Sequence, residues 1–371
     1  MSKNYSYDYV IIGAGIGGCS VAYELSKYSD NILIIDKQPK EAFGASGAAG
    51  AFLSPLLGKP NRFKDLVTEA LKYSTKLYNE NFPDAISSCG TVRIPKDTID
   101  ASKFETYIPY MDFEFKKKDD GYFFQDASVV DSSKICNMML NLNDGIYTEF
   151  EYEVNDIVLK EDKWLLNDQI TANNLILTTG ADIDLIDEFY FNIRGVWGRR
   201  IDSLTSTKLD YNYHKECSIS KSFPYHIENR YKVSIGATHH RDVGNSLDIQ
   251  KDIDELLQKA SQIVDLKDIE VLDTYSGARA SSVDYLPIVG KLIDSNKTLE
   301  EFPYMKKGTH VPRDRFTRYK NLFVLNGLGG RGFVLAPYLS KKLVDHIVNK
   351  DFIDDDITCD RLFIREVKRK K

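Results

Sequence analysis

Tyr9-Val10-Ile11-Ile12-Gly13-Ala14-Gly15-Ile16-Gly17-Gly18 is the stretch that decides the fold. Tyr9–Ile12 is a short apolar run without polar alternation, the pattern of a strand buried on both faces of a parallel sheet. It runs into GxGxxG at Gly13, Gly15 and Gly18. Val21, Ala22 and Leu25 follow at helical spacing, and Asn31–Ile35 reads as a second strand closing on Asp36, 18 residues after Gly18. Gly13 permits a tight turn, and Gly15 lets a pyrophosphate approach the helix N-terminus. Gly18 lets helix and strand pack closely, and Asp36 accepts hydrogen bonds from ribose hydroxyls. Lys37 is placed with Asp36 at the ligand. The unit predicts dinucleotide binding.

A second small-residue loop, Gly44-Ala45-Ser46-Gly47-Ala48-Ala49-Gly50, follows the second strand. A nicotinamide dinucleotide does not need it. FAD does, because its ribityl and ring system extend past the pyrophosphate and need close backbone approach, here at Ala45, Ser46 and Gly47. Leu175–Leu177 reads as a strand ending in Thr178-Thr179-Gly180, which returns the chain to the nucleotide. Leu322–Leu325 is another strand, feeding Gly327-Leu328-Gly329-Gly330-Arg331-Gly332 and a helix with Leu335, Leu339, Leu343 and Ile347 on one face. Backbone donors of Gly329, Gly330, Arg331 and Gly332 at that helix start would stabilise negative charge on a reduced flavin.

The rest of the chain bounds the class. It has 371 residues with 42% apolar and 28% charged, enough for two domains with a packed core. The net charge of −6 argues against a uniform nucleic-acid coat. No apolar run reaches the length of a membrane-spanning helix, and no signal peptide is read at the N-terminus. Five scattered cysteines without CxxC predict neither disulfides nor a metal site, and fit a cytoplasmic protein.

Together these motifs resemble the FAD-dependent D-amino-acid oxidase and glycine oxidase superfamily, over nearly the whole chain. A narrower resemblance is to the FAD domain of MnmC, the bifunctional enzymes that make 5-methylaminomethyl-2-thiouridine in tRNA. It rests on Gly44–Gly47 with Ala51–Leu57, Cys89-Gly90, Ile235–Arg241, Tyr285–Gly290, and Leu328–Phe333 with Ala336-Pro337. The methyltransferase half of that enzyme has no counterpart here, so a free-standing oxidase half is expected, with a separate methyltransferase as a candidate partner.

The resemblance implies an α/β fold: a Rossmann-like FAD domain of the D-amino-acid-oxidase type, interleaved with a mixed-sheet α+β substrate domain. The FAD domain would comprise 1–88, 140–190 and 275–371, the substrate domain 89–139 and 191–274. Residue patterns add a hairpin around Glu228-Asn229-Arg230, a helix over Ile249–Val264 and a strand near Ile157. Val154 is carried over as a backbone contact to adenine. Arg279 matches the arginine that clamps a substrate carboxylate, and Arg331 is expected as a second contact, since a guanidinium fork suits a carboxylate. Tyr225 and Tyr285 are further candidates for holding substrate. His239 and His240 lie in a matched segment and read equally as packing residues.

Two activities follow. One is oxidation of the glycine-derived arm of a carboxymethylaminomethyl group on tRNA wobble uridine, releasing glyoxylate. The other is oxidation of a free small amino acid such as glycine, sarcosine or a D-amino acid. Molecular oxygen is the expected acceptor in either. Charge patterning bears on tRNA. Met305–Lys320 holds six basic residues against Asp314 alone, and residues 361–371 hold six against Glu366 alone. Arg194, Arg199 and Arg200 form a third cluster. Such stretches suit phosphates, and equally a solvated face.

Overall fold

The computed structural model describes residues 5–241 and 248–369. Met1–Asn4 and the Lys370 and Lys371 of the basic tail lie outside them. The first sheet is built on the quoted motif. Strand Tyr5–Ile12 pairs in parallel with Ile32–Asp36 on one side and Ile170–Leu177 on the other. Ile146–Phe150 extends the sheet in parallel beyond Ile32–Asp36, and Arg318–Asn326 does so beyond Ile170–Leu177. Ile288–Ile293 closes that edge antiparallel. The parallel strands end side by side at Gly13, Asp36, Thr178 and Asn326, which creates the crevice where open α/β sheets bind ligands.

Both faces are covered, which explains the unbroken apolar run. Ile11 points into one core with helix Ile16–Leu25 and the long helix Gly332–Asn349, while Val10 and Ile12 point into the other with Tyr190, Phe316 and Phe363. Helix Arg62–Asn81, capped by Asn61, packs against Gly332–Asn349.

Pro337 lies inside that long helix and cannot donate to the carbonyl of Phe333. The buried Tyr78 hydroxyl donates to the Phe333 oxygen at 3.0 Å, and the Ser74 hydroxyl donates to the Val334 oxygen at 2.7 Å. Two side chains of a neighbouring helix thus satisfy the turn that a proline disrupts.

The second sheet has nine strands and is mixed, with one parallel pair, Thr91–Arg93 with Asn212–His214. Its spine is two 13-residue strands, Ile193–Thr205 and Glu270–Ser282, with Tyr231–Gly236 beside the first. Helix Ile249–Ser261 covers one face through Leu256 and Ala260. The hairpin around Glu228-Asn229-Arg230 is present, with Tyr231–Gly236 as its second strand, but its first strand is Phe223-Pro224, pairing Lys232 and Tyr231, rather than Tyr225–Ile227.

Two elements run across the expected boundary positions. Strand Glu270–Ser282 belongs wholly to the second sheet, so position 275 falls inside it. Helix Ser132–Leu140 packs Ile135, Cys136 and Met139 into the core under the first sheet. Neither junction carries a proline or a glycine pair to mark it.

Tyr78→Phe leaves the Phe333 carbonyl buried without a donor. A loss of about 1–3 kcal/mol in unfolding free energy is expected, measured by denaturant melts. Tyr338→Phe, whose hydroxyl makes an exposed bond to Glu69, serves as the near-neutral comparison.

Candidate active site

The crevice opens into a cavity of about 1130 Å³ between the two sheets. Pockets of about 300–1,000 Å³ hold one drug-sized molecule, so this one has room for a large cofactor and a small substrate. At its base the glycines behave as their spacing implied. Gly13 has φ +106°, and a Cβ at Gly18 would lie 1.9 Å from the Gly13 oxygen. Gly15 faces open space except for the Ser46 hydroxyl, and that hydroxyl accepts from Ile16 N at 2.9 Å. No side chain of Gly15 can cap the helix, so its first-turn amides face the cavity rim. Gly44 and Gly180 would meet nothing within 4 Å. An extended dinucleotide with a ring system fits such a cradle.

Gly13, Gly15, Asp36, Lys37, Ala45 and Ser46 line the cavity. So do Thr179, Gly180, Gly329, Gly330, Arg331 and Gly332. Asp36 is already held: its Oδ2 accepts from Ala14 N at 2.6 Å and its Oδ1 from Gln38 N at 2.9 Å. Lys37 is paired with Asp182 at 2.5 Å and Glu153 at 3.4 Å. Asn326 donates to the Gly180 oxygen at 2.9 Å, tying the two later glycine loops together.

A family model for FAD-dependent oxidoreductases of the DAO type matches residues 8–346. The chain belongs to the DAO family of FAD-dependent oxidoreductases. It is 24% identical over 374 residues to the tRNA 5-methylaminomethyl-2-thiouridine biosynthesis bifunctional protein MnmC of Legionella pneumophila (strain Corby), covering 92% of this chain and 54% of that protein. The MnmC of Campylobacter fetus is 20% identical, with 98% and 60% covered. The chain therefore spans a little over half the length of these relatives. The glycine oxidase of Geobacillus kaustophilus shares the fold with TM-score 0.73 at 18% identity, over 94% of this chain and 96% of that one.

The remaining expected residues divide. Arg279 lines the cavity, and both its Nη atoms donate to the Thr238 oxygen at 3.3 Å. Gly198, on the neighbouring strand two positions along from Arg279's partner Val196, makes room: a Cβ there would lie 2.5 Å from Arg279 Nη2. Arg331 also lines it and donates to the Ser54 oxygen at 3.1 Å. Neither arginine has a carboxylate partner among the described residues. Burial pushes the Arg331 guanidinium down to about 10 and lowers Arg279 as well. Tyr285 lines the cavity in a left-handed conformation and is 62% exposed.

Four residues sit elsewhere. Tyr225 is outside the cavity, with its ring tilted against that of His226, centroids 4.1 Å apart. Val154 is buried in the core beneath the sheet and does not line the cavity. Gly18 and Gly47 act by packing, a Cβ at Gly47 lying 2.0 Å from the Ala42 oxygen. The histidines part company. His239 lines the cavity, while His240 bonds Asp252 at 2.7 Å, which also pairs with the buried Arg199 at 3.1 Å.

Sequence reasoning missed Arg93, Trp197 and His214, all on the cavity wall. Nothing local to them signals it, since their placement depends on strand pairing.

His214, His239 and His346 are each held below the ordinary imidazole range, first by burial. Arg93 and Arg331 add to this at His214, and Arg279 at His239. Below about pH 6.5 the unfolded chain takes up protons that these folded sites resist, so stability falls as pH falls. Tm is expected to be lower at pH 5.5 than at pH 7.5. His214→Asn narrows that difference in thermal melts; an unchanged difference would remove His214 from the account.

Proposed function

We propose that this enzyme oxidises the glycine arm of a carboxymethylaminomethyl group on tRNA wobble uridine, leaving an aminomethyl group and releasing glyoxylate. The observation that carries the chemistry is the pair Arg279 and Arg331, two guanidiniums lining the FAD cavity with no ion-pair partner among the described residues. They form the counterpart of a substrate carboxylate. The likeness to MnmC, over nearly all of this chain, supports the tRNA-borne arm.

Bound FAD supplies the hydride acceptor for the methylene carbon between carboxylate and amine. The protein's part is positioning, which lowers the barrier by fixing that carbon in place. Arg279 and Arg331 hold the carboxylate, and burial, which lowers the His239 imidazole, favours its neutral form beside them. Loss of the amine proton with the hydride gives an imine. Water adds to it, and the C–N bond breaks to glyoxylate and the primary amine. Molecular oxygen is the proposed final acceptor, and a separate methyltransferase would complete the modified base.

A second reading, oxidation of a free small amino acid, is favoured by one observation. Several cations of the basic stretches are paired within the fold. Arg313 bonds Asp355 at 2.9 Å, Arg318 bonds Asp360 at 2.8 Å and Lys320 bonds Asp162 at 2.7 Å. Arg361 grips Asp284 at 2.8 Å, and Arg369 bonds Glu366 at 3.0 Å. In the third cluster, Arg199 and Arg200 turn inward to Asp252 and Asp202. Paired cations offer less to phosphates than the linear count suggested.

Anaerobic single-turnover reduction separates the readings. Bleaching of the flavin only by tRNA carrying the carboxymethylaminomethyl group supports the first. Bleaching by glycine, sarcosine or D-alanine at low millimolar concentration supports the second. In either case Arg279→Ala is expected to cost at least ~2 kcal/mol in kcat/KM with FAD content unchanged; unaltered kinetics would sink the assignment.

A further inference from the structure

Arg279 and Arg331 already suffice for one carboxylate, yet the same cavity holds a third arginine. Arg93 ends the short strand Thr91–Arg93, which pairs in parallel with Asn212–His214 so that Arg93 and His214 are direct partners in register. Paired residues on adjacent strands project to the same side of a sheet, and both line the cavity. Arg93 Nη1 reaches the Pro55 oxygen at 3.3 Å and the Ser54 hydroxyl at 3.5 Å. Arg331 donates to the Ser54 carbonyl. Two guanidiniums from distant parts of the chain therefore flank one Ser-Pro step.

These groups are poorly satisfied by the protein. Arg93 makes no ion pair among the described residues, and its Nε is buried without a hydrogen-bond partner. His214 Nδ1 meets the Ser218 hydroxyl at 2.7 Å, and its Nε2 makes no hydrogen bond among the described residues. The acid nearest in sequence on the wall, Glu216, is exposed. Burial, and then the Arg331 charge, push Arg93 down to about 9. Like charges held together away from water are costly unless an anion joins them.

We infer that Arg93 and His214, beside Arg331, form a second anion subsite that takes a further carboxylate or phosphate of the substrate. This deepens the proposed function and rests on its reading of Arg279 and Arg331 as the first carboxylate clamp. A free substrate would supply a second carboxylate on the amine substituent. A tRNA substrate would supply a phosphate. The subsite chemistry is the same: a guanidinium fork aided by a neutral imidazole donor.

The test is calorimetric titration of FAD-loaded enzyme with non-reacting anions at constant ionic strength. Acetate probes the first clamp. Malonate, succinate and 2-phosphoglycolate add a second carboxylate or a phosphate. At least tenfold tighter binding than acetate is expected for one of the two-anion ligands. A gain confined to 2-phosphoglycolate assigns a phosphate, and a gain confined to the diacids assigns a carboxylate. Arg93→Gln should erase the gain and leave acetate binding within twofold, and Arg93→Lys should restore part of it. Equal binding of one- and two-anion ligands by the unaltered enzyme overturns the inference, even if the variants fail to fold. Equal weakening of acetate and the diacids by Arg93→Gln also overturns it, by placing Arg93 in the first clamp. Because no turnover is measured, failure of the oxidase reading shows separately, as an unbleached flavin.

Discussion

The carbonyl oxygen of Gly13 is the point on which the structure turns. A side chain at Gly18 would collide with it, and the Thr178 hydroxyl donates to it at 2.8 Å and to the Ile12 oxygen at 3.0 Å. One helix and the ends of two strands therefore converge on a single turn. Their convergence aligns the strand ends that form the crevice, and Asp36 fastens the rim by accepting from Ala14 N. The shape of the FAD cradle follows from these contacts of Gly13, Gly18, Thr178 and Asp36.

How much of this was legible from sequence follows from how local each feature is. The glycine turns, the flanking strands and the amphipathic helix Ile249–Ser261 each declare themselves within about twenty residues. Arg93 and His214 meet only because two short strands pair across more than a hundred positions, and no spacing rule reports that. Tyr225 looked suitable by type and neighbourhood, but its ring lies against His226, outside the cavity. Val154 was placed near adenine by resemblance, and its burial follows from the apolar face it shares with Leu33 and Trp164. Tyr78 and Ser74, which repair the proline turn, carry no sequence mark of that task.

Charge shows the same divide. Counting along the chain makes Met305–Lys320 strongly basic, but Asp162, Asp355 and Asp360 come from other segments to meet it. A linear charge run is a statement about covalent neighbours, whereas a binding surface depends on spatial ones. Among the described residues, Arg93, Arg279 and Arg331 on the cavity wall make no ion pair, whereas Arg199, Arg200, Arg318 and Arg361 are held by acids within the fold.

The two long strands of the second sheet have a mechanical consequence. Ile193–Thr205 and Glu270–Ser282 are paired along nearly their whole length, and 13 residues at about 3.3 Å each make a beam of about 43 Å. Arg279 is mounted on one strand and its clearance, Gly198, on the other. A fork fixed on such a beam has little freedom to follow a substrate that moves. On the proposed reading of Arg279 as a carboxylate clamp, substrates of different reach bring their own carboxylate to a stationary point, and selectivity becomes a matter of length measured from that point.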